Sequence, residues 1–269
     1  MIQVRELESL EPLGELKRMY VRQTTAPLDG MWLSGFVPMA THYGFYDNTK
    51  LVGFCCVNDD GYLLQFFLTP QYQNVSSHLF ESILRSDSEP KINGAFVSTA
   101  EPHSLSLCLD HFSAFEVNAL MYQQETEPSE QVQHTPLALV TINAAQLSEA
   151  VEFAKVSIGA PEEWLTGYYT NLINRQELFG LWENDRLVAT GESRGYDEYQ
   201  TEYADLGVIV AESERGKGLA TRILRQLVVM NDGKGLKSIC STEKTNLAAQ
   251  KAIGRAGFFA SNRIIQFKA

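Results

Sequence analysis

The chain has 269 residues, 22 basic against 33 acidic, a net charge of −11 and 44% apolar content, enough for two ordinary domains each with its own core. It contains no run of 18 apolar residues, and its charged start, Met-Ile-Gln-Val-Arg-Glu-Leu-Glu, lacks an apolar signal core. A membrane partner is therefore not indicated and a cytoplasmic location is expected. Cys55, Cys56, Cys108 and Cys240 show no metal-ligand spacing and read as free buried thiols, and no basic stripe with interleaved aromatics points to nucleic acid.

In the first half, residues 43–46, 51–57 and 62–68 read as three strands with turns at Asp47-Asn48 and Asp59-Asp60-Gly61. Residues 76–84 read as a helix with Leu79, Phe80, Ile83 and Leu84 apolar, and Val97-Ser98-Thr99-Ala100-Glu101 leads into a further helix and a last strand. The polar, proline-bearing stretch 124–136 reads as a linker between a domain at 1–123 and one at 137–269. Charge divides unequally across it: residues 1–136 hold 7 basic and 17 acidic residues, and residues 137–269 hold 15 and 16. The acidic surface suits a cationic amine partner, although a net negative charge also simply aids solubility.

Beyond the linker, 137–142 is a strand, 144–157 and 162–174 are helices, and 178–182 begins a hairpin that turns at Asn184-Asp185 into a strand at 186–193. A third strand, 203–210, runs into Ala211-Glu212-Ser213-Glu214-Arg215-Gly216-Lys217-Gly218-Leu219-Ala220. That is an anion-binding arrangement: glycines with no Cβ, two cations and the positive end of a helix starting at Leu219. Lys217 stands between the glycines and residue 211 is alanine, which departs from a P-loop, and Thr221 departs from a dinucleotide fingerprint. After the helix come a turn at Asp232-Gly233-Lys234-Gly235, a short strand at 238–240, and Asn246, which can cap a helix ending at Gly257 before a strand from Phe258.

Arg215-Gly216-Lys217-Gly218-Leu219-Ala220 resembles the Arg/Gln-x-x-Gly-x-Gly/Ala signature of the GNAT acyl-CoA N-acyltransferases. Asn246, Ala249, Gly257 and Phe258 resemble that superfamily's following segment. The resemblance implies an α/β (α+β) fold of two GNAT-like domains, each a mixed, mostly antiparallel sheet flanked by helices. The first copy is degenerate, because Gln73-Asn74-Val75-Ser76-Ser77 replaces the glycine loop. It further implies acetyl-CoA or another acyl-CoA as cosubstrate, held by Val208, Ile209, Val210, Arg215, Gly216, Lys217, Gly218, Leu219, Ala220 and Asn246, and a small-molecule or peptide amine as acceptor.

For the base, the second domain has no histidine, since all five precede residue 137. Carboxylates remain, and Asp205 and Glu192, on strands expected to face the cleft, stand ahead of Glu202 and Glu243; each can instead be an ordinary paired carboxylate. Where relatives carry a tyrosine near the coenzyme sulfur, residue 253 is isoleucine, which donates no proton. This leaves open a non-catalytic acyl-CoA-binding or sensing module, and relatives that move aminoacyl groups on a tandem scaffold form a third reading. Trp164, Tyr168, Tyr169 and Trp182 either line an acceptor pocket or pack on the sheet. Met31, Trp32 and Phe36 are candidates to cap the second domain's cleft.

Overall fold

A computed structural model describes residues 2–86, 89–124 and 136–268. The chain forms two compact units, one of Met1–Leu120 with Asn262–Ala269 and one of Met121–Ser261.

The first unit begins with β1 (Gln3–Glu6), α1 (Gly14–Gln23), a π-turn at Trp32–Phe36 and the short α2 (Val37–Met39). A meander of β2 (Thr41–Asp47), β3 (Lys50–Val57) and β4 (Tyr62–Leu68) follows, then α3 (Ser76–Leu84), β5 (Gly94–Ser98), α4 (Pro102–His111) and β6 (Ala114–Gln124). Asn48 and Gly61 supply the left-handed backbone of the two hairpin turns. Strands β3 and β4 are continuous apolar runs because both faces are covered: Phe45, Cys55, Phe66 and Leu68 pack with α3 and α4, while Phe54 and Phe67 pack with Leu16 and Tyr20 of α1. Trp32 lies with Val37, Ala40, Cys56 and Leu64 in this unit's own core. Parallel pairing of β4 with β5 holds only at Tyr62↔Gly94 and Leu63↔Ala95.

The second unit contains β7 (Val140–Thr141), α5 (Leu147–Ile158), α6 (Glu162–Asn174), β8 (Leu178–Glu183), β9 (Arg186–Gly195), β10 (Tyr203–Val210), α7 (Leu219–Asp232), β11 (Lys237–Glu243) and α8 (Leu247–Arg255), and the start of β12 (Phe258–Lys268). Its strands run in the order β11-β10-β9-β8-β7, antiparallel except for β10 with β11. The strand expected over 137–142 is confined to Val140–Thr141. The helix expected from 144 opens with a 3-10 turn, where Asn143 Oδ1 accepts from the Ala145 N–H at 2.9 Å and Gln146 Oε1 accepts from the Asn143 N–H at 3.1 Å. Asn184 and Asp185 adopt the left-handed turn between β8 and β9. Leu165, Tyr169 and Leu172 of α6 join Ala150, Val151 and Ala154 of α5 in the core on one face of the sheet. On the opposite face Gly191 stands against Ile223 and Leu227 of α7, where a Cβ would come within 2.9 Å of Ile223.

The units depart from the boundaries 1–123 and 137–269 expected from sequence. Residues 262–268 pair antiparallel with β5, from Ile264↔Ser98 to Lys268↔Gly94, and bury Ile265 and Phe267 in the first unit's core. At the other end Gln123 and Gln124 belong to the second unit, where Gln123 donates to Ser261 Oγ at 2.9 Å. Most of the expected linker, residues 125–135, lies outside the described residues. All four cysteines are free and buried. No described helix is long and apolar enough to cross a membrane, and the described residues contain no metal-binding group of His, Cys, Asp and Glu.

Candidate functional site

Strand β10 pairs with β11 only from Tyr203↔Lys237 to Asp205↔Ile239. Beyond that point the two strands part while β10 remains paired with β9 as far as Val210↔Ala189. The parting opens a cleft of about 560 Å³. Gly207, Val208, Ile209 and Val210 line one wall, Cys240, Ser241 and Thr242 the other, and Arg215, Gly216, Gly218, Leu219, Ala220 and Asn246 lie at its glycine-loop end. A strand with no partner on one side turns backbone donors and acceptors into such a cleft, where an extended chain can pair with them.

The loop between β10 and α7 explains its glycines through the backbone. Gly216 and Gly218 have φ of 78° and 77°, conformations in which a side chain is strained, and a Cβ at either would meet open space. Gly218 is the residue before α7, whose first N–H groups have no partner within the helix. Loop and helix end together offer backbone donors and a positive dipole to an anion. The two cations are engaged with protein. Arg215 Nε donates to the Val210 carbonyl at 3.2 Å and its Nη2 to the Ser157 carbonyl at 2.8 Å, tying the loop to β10 and α5. Lys217 pairs with Glu214 at 2.8 Å and remains largely exposed. Asn246 caps α8, its Oδ1 accepting from the Ala249 N–H at 3.0 Å, and Gly257 ends that helix with φ of 94°. Ile253 is buried and faces the cleft.

The two carboxylates singled out from sequence lie together on the α6 side of the sheet. Glu192 is 5% exposed and Asp205 1%. Between them stands Arg194, with Nη1 2.9 Å from Glu192 Oε2 and Nη2 3.0 Å from Asp205 Oδ2. Tyr168 of α6 donates its hydroxyl to Glu192 Oε2 at 2.6 Å and accepts from Arg194 Nη1 at 2.6 Å. Burial works against the guanidinium's charge, but Asp205, Tyr168 and Glu192 outweigh it and hold the Arg194 pKa well above its ordinary value. Burial, with the Glu192 charge beside it, raises the Tyr168 phenol, which stays protonated. Glu192 also stands over Gly207, where a Cβ would come within 2.9 Å of Oε2. Neither carboxylate is among the residues lining the cleft, but Gly207, over which Glu192 stands, is. Glu202 and Glu243 are exposed.

Arg194 and Gly207 escape a reading of sequence alone. The signal available is Glu192-Ser193-Arg194, in which residues two apart share a strand face; the Arg194↔Asp205 register is what completes it. Of the aromatics, Tyr169 is core, Trp182 donates to Glu149 Oε1 at 3.0 Å, and Trp164, 42% exposed, stacks on Tyr168 with centroids 4.8 Å apart.

Residues 9–125 match the family described as acetyltransferase (GNAT) domain, and residues 145–258 match the acetyltransferase (GNAT) family. An acetyltransferase of the GNAT family from Colwellia psychrerythraea is 51% identical over 99% of this chain and 99% of that one, with a TM-score of 0.94. A GCN5-related N-acetyltransferase from Sphaerobacter thermophilus is similar in fold, at 12% identity over 99% of this chain and 95% of that one, TM-score 0.67. So is a tandem GNAT protein from the clavulanic acid biosynthesis pathway, at 13% identity over 100% and 98%, TM-score 0.66. No curated protein matches the chain. The chain belongs to the GNAT acetyltransferase family and carries two of its domains in tandem.

Proposed function

We propose that the second unit binds acetyl-CoA in the β10–β11 cleft and transfers the acetyl group to a primary amine, on a small molecule or a peptide, by direct attack. GNAT enzymes in general use acetyl-CoA. The observation that carries this reading is the continuity of the cleft with the glycine loop at the start of α7. It lets one ligand place a pyrophosphate on the loop and an extended arm along a strand edge. In this reading the backbone of Gly216 to Ala220 holds the pyrophosphate, Lys217 adds charge at its edge, and Arg215 fixes the loop. Val208, Ile209 and Val210 pair with the pantetheine arm and support the thioester oxygen as it becomes negative. Asn246 acts by setting the start of α8.

The uncharged amine attacks the thioester carbon, the C–N bond forms, the C–S bond breaks, and the nitrogen gives up a proton. Glu192 takes that proton, directly or through a water, in preference to Asp205, whose carboxylate is the more deeply buried behind Arg194. With isoleucine at 253, the coenzyme departs as a thiolate, whose pKa as a free thiol is about 8.5, and takes its proton from solvent. The four free, buried thiols suit a reducing, cytoplasmic compartment.

Thermal unfolding with and without acetyl-CoA, followed by coenzyme A release assays on a panel of alkylamines, arylalkylamines and lysine peptides, tests the proposal. Stabilisation plus turnover supports it. Stabilisation with no turnover favours the second reading, an acyl-CoA-binding module, for which the buried Ile253 at the acid position speaks. No stabilisation by acetyl-CoA, longer acyl-CoAs or coenzyme A overturns both.

A further inference from the structure

We infer that Tyr168 is a positioning residue for acyl transfer: its hydroxyl, with Arg194, occupies one oxygen of Glu192 and leaves the other to meet the acceptor amine. The inference rests on the reading of Glu192 as the base.

Both hydrogen bonds to the Glu192 carboxylate fall on Oε2, from Tyr168 at 2.6 Å and Arg194 at 2.9 Å, and among the described residues Oε1 accepts none. Oε1 is not among the buried side-chain atoms that lack a partner, so it is open to water and to whatever visits the site. A protonated or attacking amine is such a visitor. The two donors differ in what they fix. Arg194 lies two residues along the same strand and moves with Glu192, whereas Tyr168 comes from α6 and is the tie between that helix and the carboxylate. The tyrosine is itself held by the Arg194 N–H and by the ring of Trp164, stacked at an interplanar angle of 14°. Gly207 keeps the space beneath Oε2 clear of side chain. A carboxylate so held presents Oε1 in one orientation, and orientation at the reacting atoms is where misplacement by about 1 Å costs about 100-fold in rate.

Tyr168→Phe removes only the hydroxyl, and Tyr169→Phe, one residue along and in the core, serves as the matched control. With acetyl-CoA and the best amine from the panel, Tyr168→Phe is expected to lower kcat by about 10- to 100-fold, with KM for both substrates within twofold of wild type. Tyr169→Phe should keep kcat. Crystals of Tyr168→Phe with acetyl-CoA should show the Glu192 carboxylate turned away from its place over Gly207. Glu192→Gln separates the two readings. If it is inactive while Tyr168→Phe retains kcat and an unmoved carboxylate, the positioning role falls and the base stands. If Glu192→Gln keeps kcat, the base reading falls and the Tyr168 role falls with it. An unmoved carboxylate in the Tyr168→Phe crystals overturns the inference without reference to turnover.

Discussion

Each unit contains a pair of parallel strands that pair briefly and then part, after Leu63 and Ala95 in the first and after Asp205 and Ile239 in the second. In the second unit the parting is a cleft of about 560 Å³; in the first, about 10 Å³ remains. The difference lies in what α4 and the loop after β4 bring there. Ser104 of α4 donates to the Phe66 carbonyl at 3.1 Å, placing a side chain between the diverging strands, and Cys108 lines the residual space. After β4 the chain makes a 3-10 turn at Pro70–Val75, with no left-handed residue among those described there. One element of the loop is nevertheless shared. Gln73 donates to the carbonyl of Leu68, five residues back, at 2.7 Å, as Arg215 does to Val210. The loop-closing bond therefore survives where the left-handed glycines do not, which gives Arg215 a structural duty.

The units also share a buried carboxylate bonded to a tyrosine from a helix. In the second unit Glu192 has Arg194 beside it. In the first, Glu101 accepts from the Tyr20 hydroxyl and from the Ser98 N–H at 2.8 Å, with no guanidinium in its bonds. Burial pushes the Glu101 pKa up to about 7, and the two hydrogen bonds offset only part of that. In the first unit it is burial, not the tyrosine bond, that works against the carboxylate's charge.

The strand that closes the first unit is the most damaging one to remove. Removing residues 262–269 takes away Ile264, Ile265 and Phe267, together about 4.5 to 9 kcal/mol at about 1.5–3 kcal/mol for each buried side chain, and leaves the edge of β5 bare. Against a domain stability of about 5–15 kcal/mol, the first unit is expected to lose its cooperative unfolding transition in denaturant, with limited proteolysis cutting within residues 1–120 first. Intact residues 1–120 would show that the closing strand is dispensable.

Next in size is the Glu101 proton. Its folded pKa is raised from 4.5 to about 7, so its stabilisation is fully present below pH 4.5 and is lost as pH rises to about 7, a change of about 3 kcal/mol at about 1.4 kcal/mol per unit. His42 acts in the opposite sense. Burial first, and the Lys17 charge second, lower its pKa to about 4, so its contribution is present above 6.5 and is lost as pH falls. Lys17 contacts His42 Nε2 at 3.3 Å, and Tyr20 and Cys56, both raised by burial, stay protonated over this range. Comparing wild type with Glu101→Gln in denaturant at pH 5 and pH 8 isolates the carboxyl. The variant is expected to lose less stability on going to pH 8, and equal losses would remove Glu101 as the cause.

Of similar size is the glycine loop. At 100 times its dissociation constant acetyl-CoA should stabilise the chain by about 2.7 kcal/mol. Gly218→Glu, which places a side chain at φ of 77° and a negative charge at the start of α7, should abolish that shift in a thermal melt. A shift that persists would move the ligand elsewhere. The smallest effect belongs to Ser104→Ala, expected to cost about 1 kcal/mol through the lost bond to Phe66. Combined with Gly218→Glu it should still give no acetyl-CoA shift, because the first unit lacks the loop as well as the space.

Much of this was legible in the chain. The hairpins announce themselves through Asn48, Gly61 and Asn184-Asp185, and the roles of Gly218, Asn246 and Gly257 follow from local backbone needs that neighbouring residues already specify. What sequence could not supply was every relation set by register. Arg194 becomes the centre of a cluster only because it stands opposite Asp205. Glu192 stands over Gly207 only because that glycine lies across from it, and Arg215 finds its second partner in Ser157 of a distant helix. The apolar run at the end of the chain predicts a strand but carries no mark of which sheet it enters, because a strand's alternation specifies a face and not a neighbour.

That last strand has a consequence for the order of assembly. Residues 264–268 emerge from the ribosome long after residues 94–98 with which they pair, on the order of ten seconds later at about 5–20 residues per second. Until then the first unit waits with β5 exposed, while residues 121–261 are already being made. The domain synthesised first is therefore the one completed last, and its waiting edge is the part of the nascent chain most in need of protection from aggregation.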